Sequence, residues 1–172
     1  MQRLKRIALV VTLLIACVGC DQTTKLLARD HLQGREAASF LGDTLRLQYA
    51  ENPGAFLSVG ASLPHSLRIA VFTIGGAVMI GAVLLYAALA SKAKPLQVVA
   101  LSLICGGGIG NIADRVRYDG YVTDFLNMGI GSIRTGIFNM ADVALMIGMT
   151  LLLLLHRRSG QSLDPSSGNR LS

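Results

Sequence analysis

LIACVGCDQTTK, residues 14–25, admits two incompatible readings, and the choice between them decides the fold. Behind the positive start MQRLKR and the apolar run that follows, it has the small residue before Cys20 that marks a processed secretory leader. On that reading Cys20 is lipidated and everything before it is removed. The same letters also form the outer half of a membrane helix that runs through Cys20 and ends in a charged pair, Asp21 and Lys25. Cys17 stands where such leaders usually carry an aliphatic residue, and three further apolar segments follow. The membrane-helix reading is therefore preferred, because processing at Cys20 would remove most of the first span from the bundle.

Composition points the same way. Apolar residues make up 52% of the 172-residue chain and charged residues only 15%, against about 25% charged in a soluble globule. Mean hydropathy is +0.53. The formal charge of +6 does not mark a nucleic-acid partner, since the basic residues are scattered or sit at segment ends, with no basic stripe interleaved with aromatics. Three cysteines, at 17, 20 and 105, cannot form a paired framework, and histidines 31, 65 and 156 make no zinc-spaced cluster. No metal or other cofactor is expected.

A hydrocarbon core needs about 20 residues of helix to cross. Four segments qualify: Ile7 to about Leu27, Ile69–Ala90, Leu96–Ala113 and Ile137–Leu155. Their length and their lack of two-residue alternation choose helices over a barrel. Arg3, Lys5 and Arg6 precede the first segment, Lys92 and Lys94 lie in the short link SKAKP, and Arg157 and Arg158 follow the last. With four spans these clusters share one side, which the positive-inside rule makes cytoplasmic, along with both termini. The expected class is an all-α membrane protein: one domain, residues 1–158, and a disordered polar tail, 159–172.

Two outer connections remain, roughly 28–68 and 114–136. In the first, SFLGDTLRLQYAENPGAF alternates around a Gly42-Asp43 turn signal and predicts a small hairpin. In ASLPHSLR, Ser62 reads as a helix cap with Pro64 behind it, predicting a short surface helix.

Polar residues within or beside the spans cluster at one end. A charge at mid-span costs about 2.5–3.5 kcal/mol on insertion scales, so each needs a reason. Asp21 and Lys25 are four apart on one helix face and can pair. Asn111, Asp114 and Arg115 occupy the outer end of the third span, and Asn139 and Asp142 that of the fourth. Asp124 lies in YVTDFL, in the loop between these spans. Asp142 alone reads equally as a group compensating the helix dipole, and Asp124 alone as an ordinary loop acid; their joint occurrence at one depth favours a site.

Two carboxylates held close in low dielectric cannot both ionise, so one keeps a proton while the other acts as base. That suits water activation for peptide hydrolysis. It suits a proton-coupled carrier equally, and carboxylates alone do not choose. The run CGGGIGNIADR lacks the Lys-Ser/Thr of a phosphate loop; Gly106 and Gly110 instead have the spacing of close helix contact, a role also expected of Gly75, Gly76 and Gly81. Asn-Pro-Gly in NPGAF, residues 52–56, is turn chemistry, with Ala55 and Phe56 open to lipid or substrate.

Taken in order, DQTTK (21–25), ENPGAF (51–56), GGGIGNIADR (106–115), VTDFL (122–126) and FNMADV (138–143) resemble the sequence blocks of bacterial lipoprotein signal peptidase, or signal peptidase II. The resemblance implies a membrane aspartyl endopeptidase that cuts prolipoprotein leaders before a diacylglyceryl-modified cysteine, in the inner membrane near its periplasmic face. It implies Asp124 and Asp142 as the catalytic dyad, with Asp21, Lys25, Asn52, Gly54, Asn111, Arg115, Asn139 and Ala141 supporting the site. The hairpin would correspond to the family's outer β-cradle and the surface helix to its mobile flap. Diacylglyceryl-prolipoprotein and membrane lipids are the implied partners, and the cyclic peptide globomycin the implied inhibitor.

If the opening stretch is a span and not a leader, intact-mass spectrometry of the purified protein should find no diacylglyceryl group on Cys20. A chain that begins at a lipidated Cys20 would refute the first span.

Overall fold

The computed structural model describes residues 3–55, 59–89 and 93–161. Helix α1 (Arg3–Leu32) is followed by strands β1 (Ala38–Phe40) and β2 (Leu45–Asn52). Helix α2 (His65–Arg68) passes through a π-helical turn, Ile69–Gly75, into α3 (Gly76–Leu89). Then come α4 (Pro95–Arg117), β3 (Val122–Ile130), β4 (Ile133–Arg134) and α5 (Met140–Gln161). Among the described residues three helices are long and apolar enough to cross a membrane: His65–Ala87, Pro95–Arg117 and Met140–Arg157. The polar tail lies outside the described residues from 162 onward, while α5 carries the chain to Gln161. Phe56 and Lys92 also lie outside the described residues.

Helix α4 is central, packing on α1, α3 and α5. Its glycines make this possible. A Cβ at Gly106 would stand 2.6 Å from the Cβ of Cys17 on α1, and one at Gly107 would stand 2.3 Å from the Ala141 carbonyl oxygen on α5. Gly110 fits both neighbours, since a Cβ there would lie 2.5 Å from Asp21 Oδ2 and 3.5 Å from the Ala141 Cβ. Contact-forming glycines on α4 match the sequence reading. Those on the second span do not: Gly81 has nothing within 4 Å of its Cβ position, and Gly76 meets Ile112 only at ordinary contact distance.

The interior is unusually polar at the end of the bundle that adjoins the sheet. Asn139, Thr123, Asp21, Asp114 and Asp124 rank with Val98 and Val122 among the largest fully buried side chains, while Ile15, Val78, Leu85 and Leu153 are exposed. That inversion suits a chain whose surroundings are apolar.

The predicted hairpin forms, with Phe40 opposite Leu45 and Ala38 opposite Leu47. It is half of a larger object. Strand β3 pairs antiparallel with β2, and β4 with β3, giving a four-stranded sheet in the order β1-β2-β3-β4. The stretch 122–130 reads as a loop in sequence because the start of β3 is buried on both faces, so no alternation betrays it. A shift in register between Leu47 and Ala50 sets Ala50 opposite Asp124 and Asn52 opposite Val122. Bulges of this kind re-aim side chains beside sites.

The expected surface helix is also corrected. Ser62 lies before the helix, the cap position is Pro64, no side chain caps it, and His65–Arg68 is the first turn of the second span. Proline fits that position because its ring sets φ and the missing N–H would have no helical partner.

The glycine packing predicts a contrast. Gly107→Ala should lower thermal stability in detergent by about 1–3 kcal/mol through overpacking, whereas Gly81→Ala should leave it unchanged or slightly raised. Equal effects at the two positions would contradict the α4–α5 contact.

Candidate active site

Lys25 organises the end of the bundle that adjoins the sheet. Its ammonium stands 2.9 Å from Asp21 Oδ2 and 3.2 Å from Asp114 Oδ2, and donates to Asn111 Oδ1 at 2.9 Å. The i, i+4 pair foreseen on α1 thus exists, and it joins α1 to α4. Gln22 reinforces this junction by donating to Asp114 Oδ1 at 2.9 Å and to the Gly110 carbonyl at 3.2 Å. Asp21 Oδ1 accepts from the Ala141 N–H at 2.9 Å, satisfying one of the amides left free at the start of α5.

Helix α5 starts with a reciprocal cap. Asn139 Oδ1 accepts from the Asp142 N–H at 3.0 Å, and Asp142 Oδ2 accepts from the Asn139 N–H at 3.2 Å. This is a capping box with Asp in the place of the usual Glu or Gln. Asp142 Oδ1 remains, and it accepts from Asn111 Nδ2 at 3.0 Å. Asp142 therefore caps α5 and at the same time belongs to the buried polar network.

Asp124 arrives from β3. Its Oδ1 accepts from Asn139 Nδ2 at 2.6 Å and its Oδ2 from Asn52 Nδ2 at 2.9 Å. Asn139 thereby touches both aspartates, one through its side-chain amide and one through its cap. Asn52 Oδ1 accepts from the Gly54 N–H at 2.8 Å, closing the Asn-Pro-Gly turn. The Gly54 carbonyl accepts from Arg115 Nη2 at 2.6 Å, while Arg115 Nη1 donates to the Asn111 carbonyl at 3.1 Å. Arg115 thus ties the 52–55 turn to α4.

Burial pushes Asp124 up from the ordinary 3.8 to about 6. The negative charge of Asp142 adds to this rise, while the donors Asn52 and Asn139 and the charge of Lys25 oppose it. All ten residues expected at the site lie in this network: Asp21, Lys25, Asn52, Gly54, Asn111, Arg115, Asp124, Asn139, Ala141 and Asp142. Three contributors were not assigned roles from sequence. Asp114 also accepts from the Thr123 N–H at 2.9 Å, Thr123 lends its carbonyl to Asn139 at 3.3 Å, and Gln22 bridges two helices. The i+3 spacing from Asn111 marks Asp114; no helical or strand spacing marks Thr123, or the contacts of Gln22 with Gly110 and Asp114.

A cleft of about 490 Å³ leads to these groups. The π-helical turn and α3 supply Val71, Phe72 and Met79, and α5 supplies Leu145 and Met149, with Asn111, Arg115 and Asp142 at the polar end. Arg115 Nε is buried there without a hydrogen-bond partner among the described residues. Chemically this is an apolar slot that ends on the Asp142 carboxylate, with Asn111 and Arg115 beside it.

The family described as signal peptidase (SPase) II matches residues 13–157. A lipoprotein signal peptidase of Chlorobaculum tepidum is 36% identical over 88% of this chain and 95% of its own length. One of Sphingopyxis alaskensis is 38% identical, covering 83% of each chain. A bacterial membrane enzyme solved by the in meso method at 2.3 Å superposes with a TM-score of 0.80 at 24% identity, over 92% of this chain and 93% of that one. That last likeness bears on the fold alone.

The raised Asp124 has consequences with a definite sign. Between about pH 4 and pH 6 the folded chain holds a proton there that the unfolded chain has lost, so this group's contribution to stability falls as pH rises across that window. Replacing Asn52 by Ala removes a donor to the carboxylate and should raise the Asp124 pKa further. Carboxyl ¹³C titration of the wild type and Asn52→Ala reads both values, and a downward shift in the variant would contradict the hydrogen-bond assignment.

Proposed function

Since this chain belongs to the signal peptidase II family, whose members remove signal peptides from prolipoproteins, we propose that it does so as an aspartyl endopeptidase, cutting before a diacylglyceryl-modified cysteine. The observation that carries this reading is the shared amide of Asn139, which links Asp124 to Asp142, the carboxylate that lines the polar end of an apolar cleft. An apolar leader fits the slot, and its lipid-modified end arrives at the depth of the carboxylates.

In the proposed reaction the dyad holds one proton. Asp142 sits in the first turn of α5, where the helix dipole favours negative charge, so it is the base that takes a proton from water. The hydroxide equivalent adds to the scissile carbonyl carbon, and Asp124, whose proton is held more tightly than in an ordinary carboxylate, donates to the carbonyl oxygen. Collapse of the tetrahedral intermediate breaks the C–N bond as Asp124 takes back a proton from one hydroxyl, and the proton carried by Asp142 passes to the leaving amine of the cysteine. The free Nε–H of Arg115 is a donor for substrate carbonyls beside this step. Lys25, Asp21, Asn111 and Ala141 fix the helices against which the dyad is measured.

Helix α1, 30 residues long, is proposed as a fourth span. Basic clusters at Arg3, Lys5, Arg6, Arg157 and Arg158 then place both termini in the cytoplasm of a bacterial inner membrane, with the dyad near the periplasmic face. Globomycin is proposed to compete for the cleft.

Asp124→Asn and Asp142→Asn should each lower cleavage of a lipidated prolipoprotein in detergent by about 10²- to 10⁴-fold, with a retained folding transition. The wild-type rate should fall on both sides of a pH optimum, as the dyad loses its proton or gains a second one. Full activity in either variant would remove that residue from the mechanism.

A further inference from the structure

We infer that Arg29 is a positioning residue that holds Asp124 in place from the far side of the sheet, an inference that rests on the dyad proposed above. Arg29 follows Asp21 and Lys25 at the same four-residue step, so the three lie along one face of α1. The first two residues reach the ends of α4 and α5. Arg29, one turn farther out, reaches β3: its Nε donates to Thr123 Oγ1 at 2.8 Å.

Thr123 is fully buried and immediately precedes Asp124. Consecutive side chains of a strand point to opposite faces, so a hold on Thr123 acts from behind the carboxylate without touching it. Every polar group of Thr123 is engaged. Its N–H donates to Asp114 Oδ2 at 2.9 Å, its carbonyl accepts from Asn139 Nδ2 at 3.3 Å, and its hydroxyl accepts from Arg29. Asp114 and Asn139 fix the backbone from the helix side, and Arg29 supplies the third direction.

Arg29 is itself held. Its guanidinium carbon lies 3.4 Å from the centroid of the Tyr118 ring and 5.7 Å from that of Tyr49. Tyr118 closes the C-terminus of α4, where its N–H donates to the Asp114 carbonyl at 2.7 Å, and Tyr49 comes from β2. The planar cation therefore stands on aromatic rings from two elements while its Nε points at a third. Lysine cannot reproduce this, since it lacks both the stacking plane and a donor fixed at that distance from the backbone.

A displacement of about 1 Å in a reacting group can cost as much as 100-fold in rate. Arg29→Gln and Thr123→Val should each lower kcat for lipidated prolipoprotein by about 10- to 100-fold with KM unchanged. Arg29→Lys should fall with them, and Thr123→Ser, which keeps the hydroxyl, should restore most of the rate. The double variant Arg29→Gln/Thr123→Val should be no slower than the slower single one, because both remove the same bond. Losses that multiply in the double variant, or a Thr123→Ser as slow as Thr123→Val, would overturn the assignment. Wild-type kcat in Arg29→Gln alongside an inactive Asp124→Asn would overturn it while leaving the dyad standing. Retained cleavage in Asp124→Asn would overturn both.

Discussion

One buried ammonium fixes the relation of the helices to one another at the end of the bundle beside the sheet. Lys25 is 2% exposed and faces Asp21, Asp114 and Asn111 together. Removing one partner from such a group leaves an uncompensated charge where water cannot reach it, at a cost of about 3–5 kcal/mol. Its environment is therefore satisfied from two helices at once, and the satisfaction continues outward. Asp21 offers its second oxygen to the Ala141 amide of α5, and Asp114 Oδ2, which faces Lys25, also accepts from the Thr123 N–H in the sheet. Four elements are thus indexed to one cation.

The same pattern of shared partners explains how a buried polar network persists beside apolar surroundings. Asn139 caps α5, takes Asp142 as its cap partner, and turns its remaining amide protons on Asp124 and Asn111. A residue that would serve only helix geometry in a soluble protein here sets the relation between two carboxylates. The glycines of α4 are the steric counterpart of this arrangement: Asp21 and Ala141 reach their positions only because Gly110 presents no side chain between them. Any Cβ there would part α1 from α5 and stretch the hydrogen bonds that carry the charge balance.

Much of the site was legible before the fold was. Asp21 and Lys25 announce their pairing by spacing, and so do Asn139 and Asp142, because helical neighbours three and four apart must meet. The Gly42-Asp43 turn gives away the first hairpin for a similar local reason. Strand β3 gives no such signal. Its first residues are enclosed by α1, α4 and β2, so alternation is absent and a central strand reads as a loop. The surface helix expected at Ser62 fails for the opposite reason, since the local signal is present but the helix is taken up into the span that follows. Gly81 likewise carries the right residue on a face that meets no neighbour.

By itself, the sequence determined which residues are too polar to lie in a membrane helix without partners, and at which end of the bundle they collect. Desolvation makes that inference independent of any particular fold. Only the tertiary structure decided which partner each one takes: that Lys25 reaches Asp114, that Asn52 and Asn139 share Asp124, and that Arg29 reaches Thr123 across 94 positions. Spacing along one helix constrains neighbours within about two turns. Contacts between elements depend instead on the register shift in β2 and the glycine face of α4, and these set distances that no local pattern encodes.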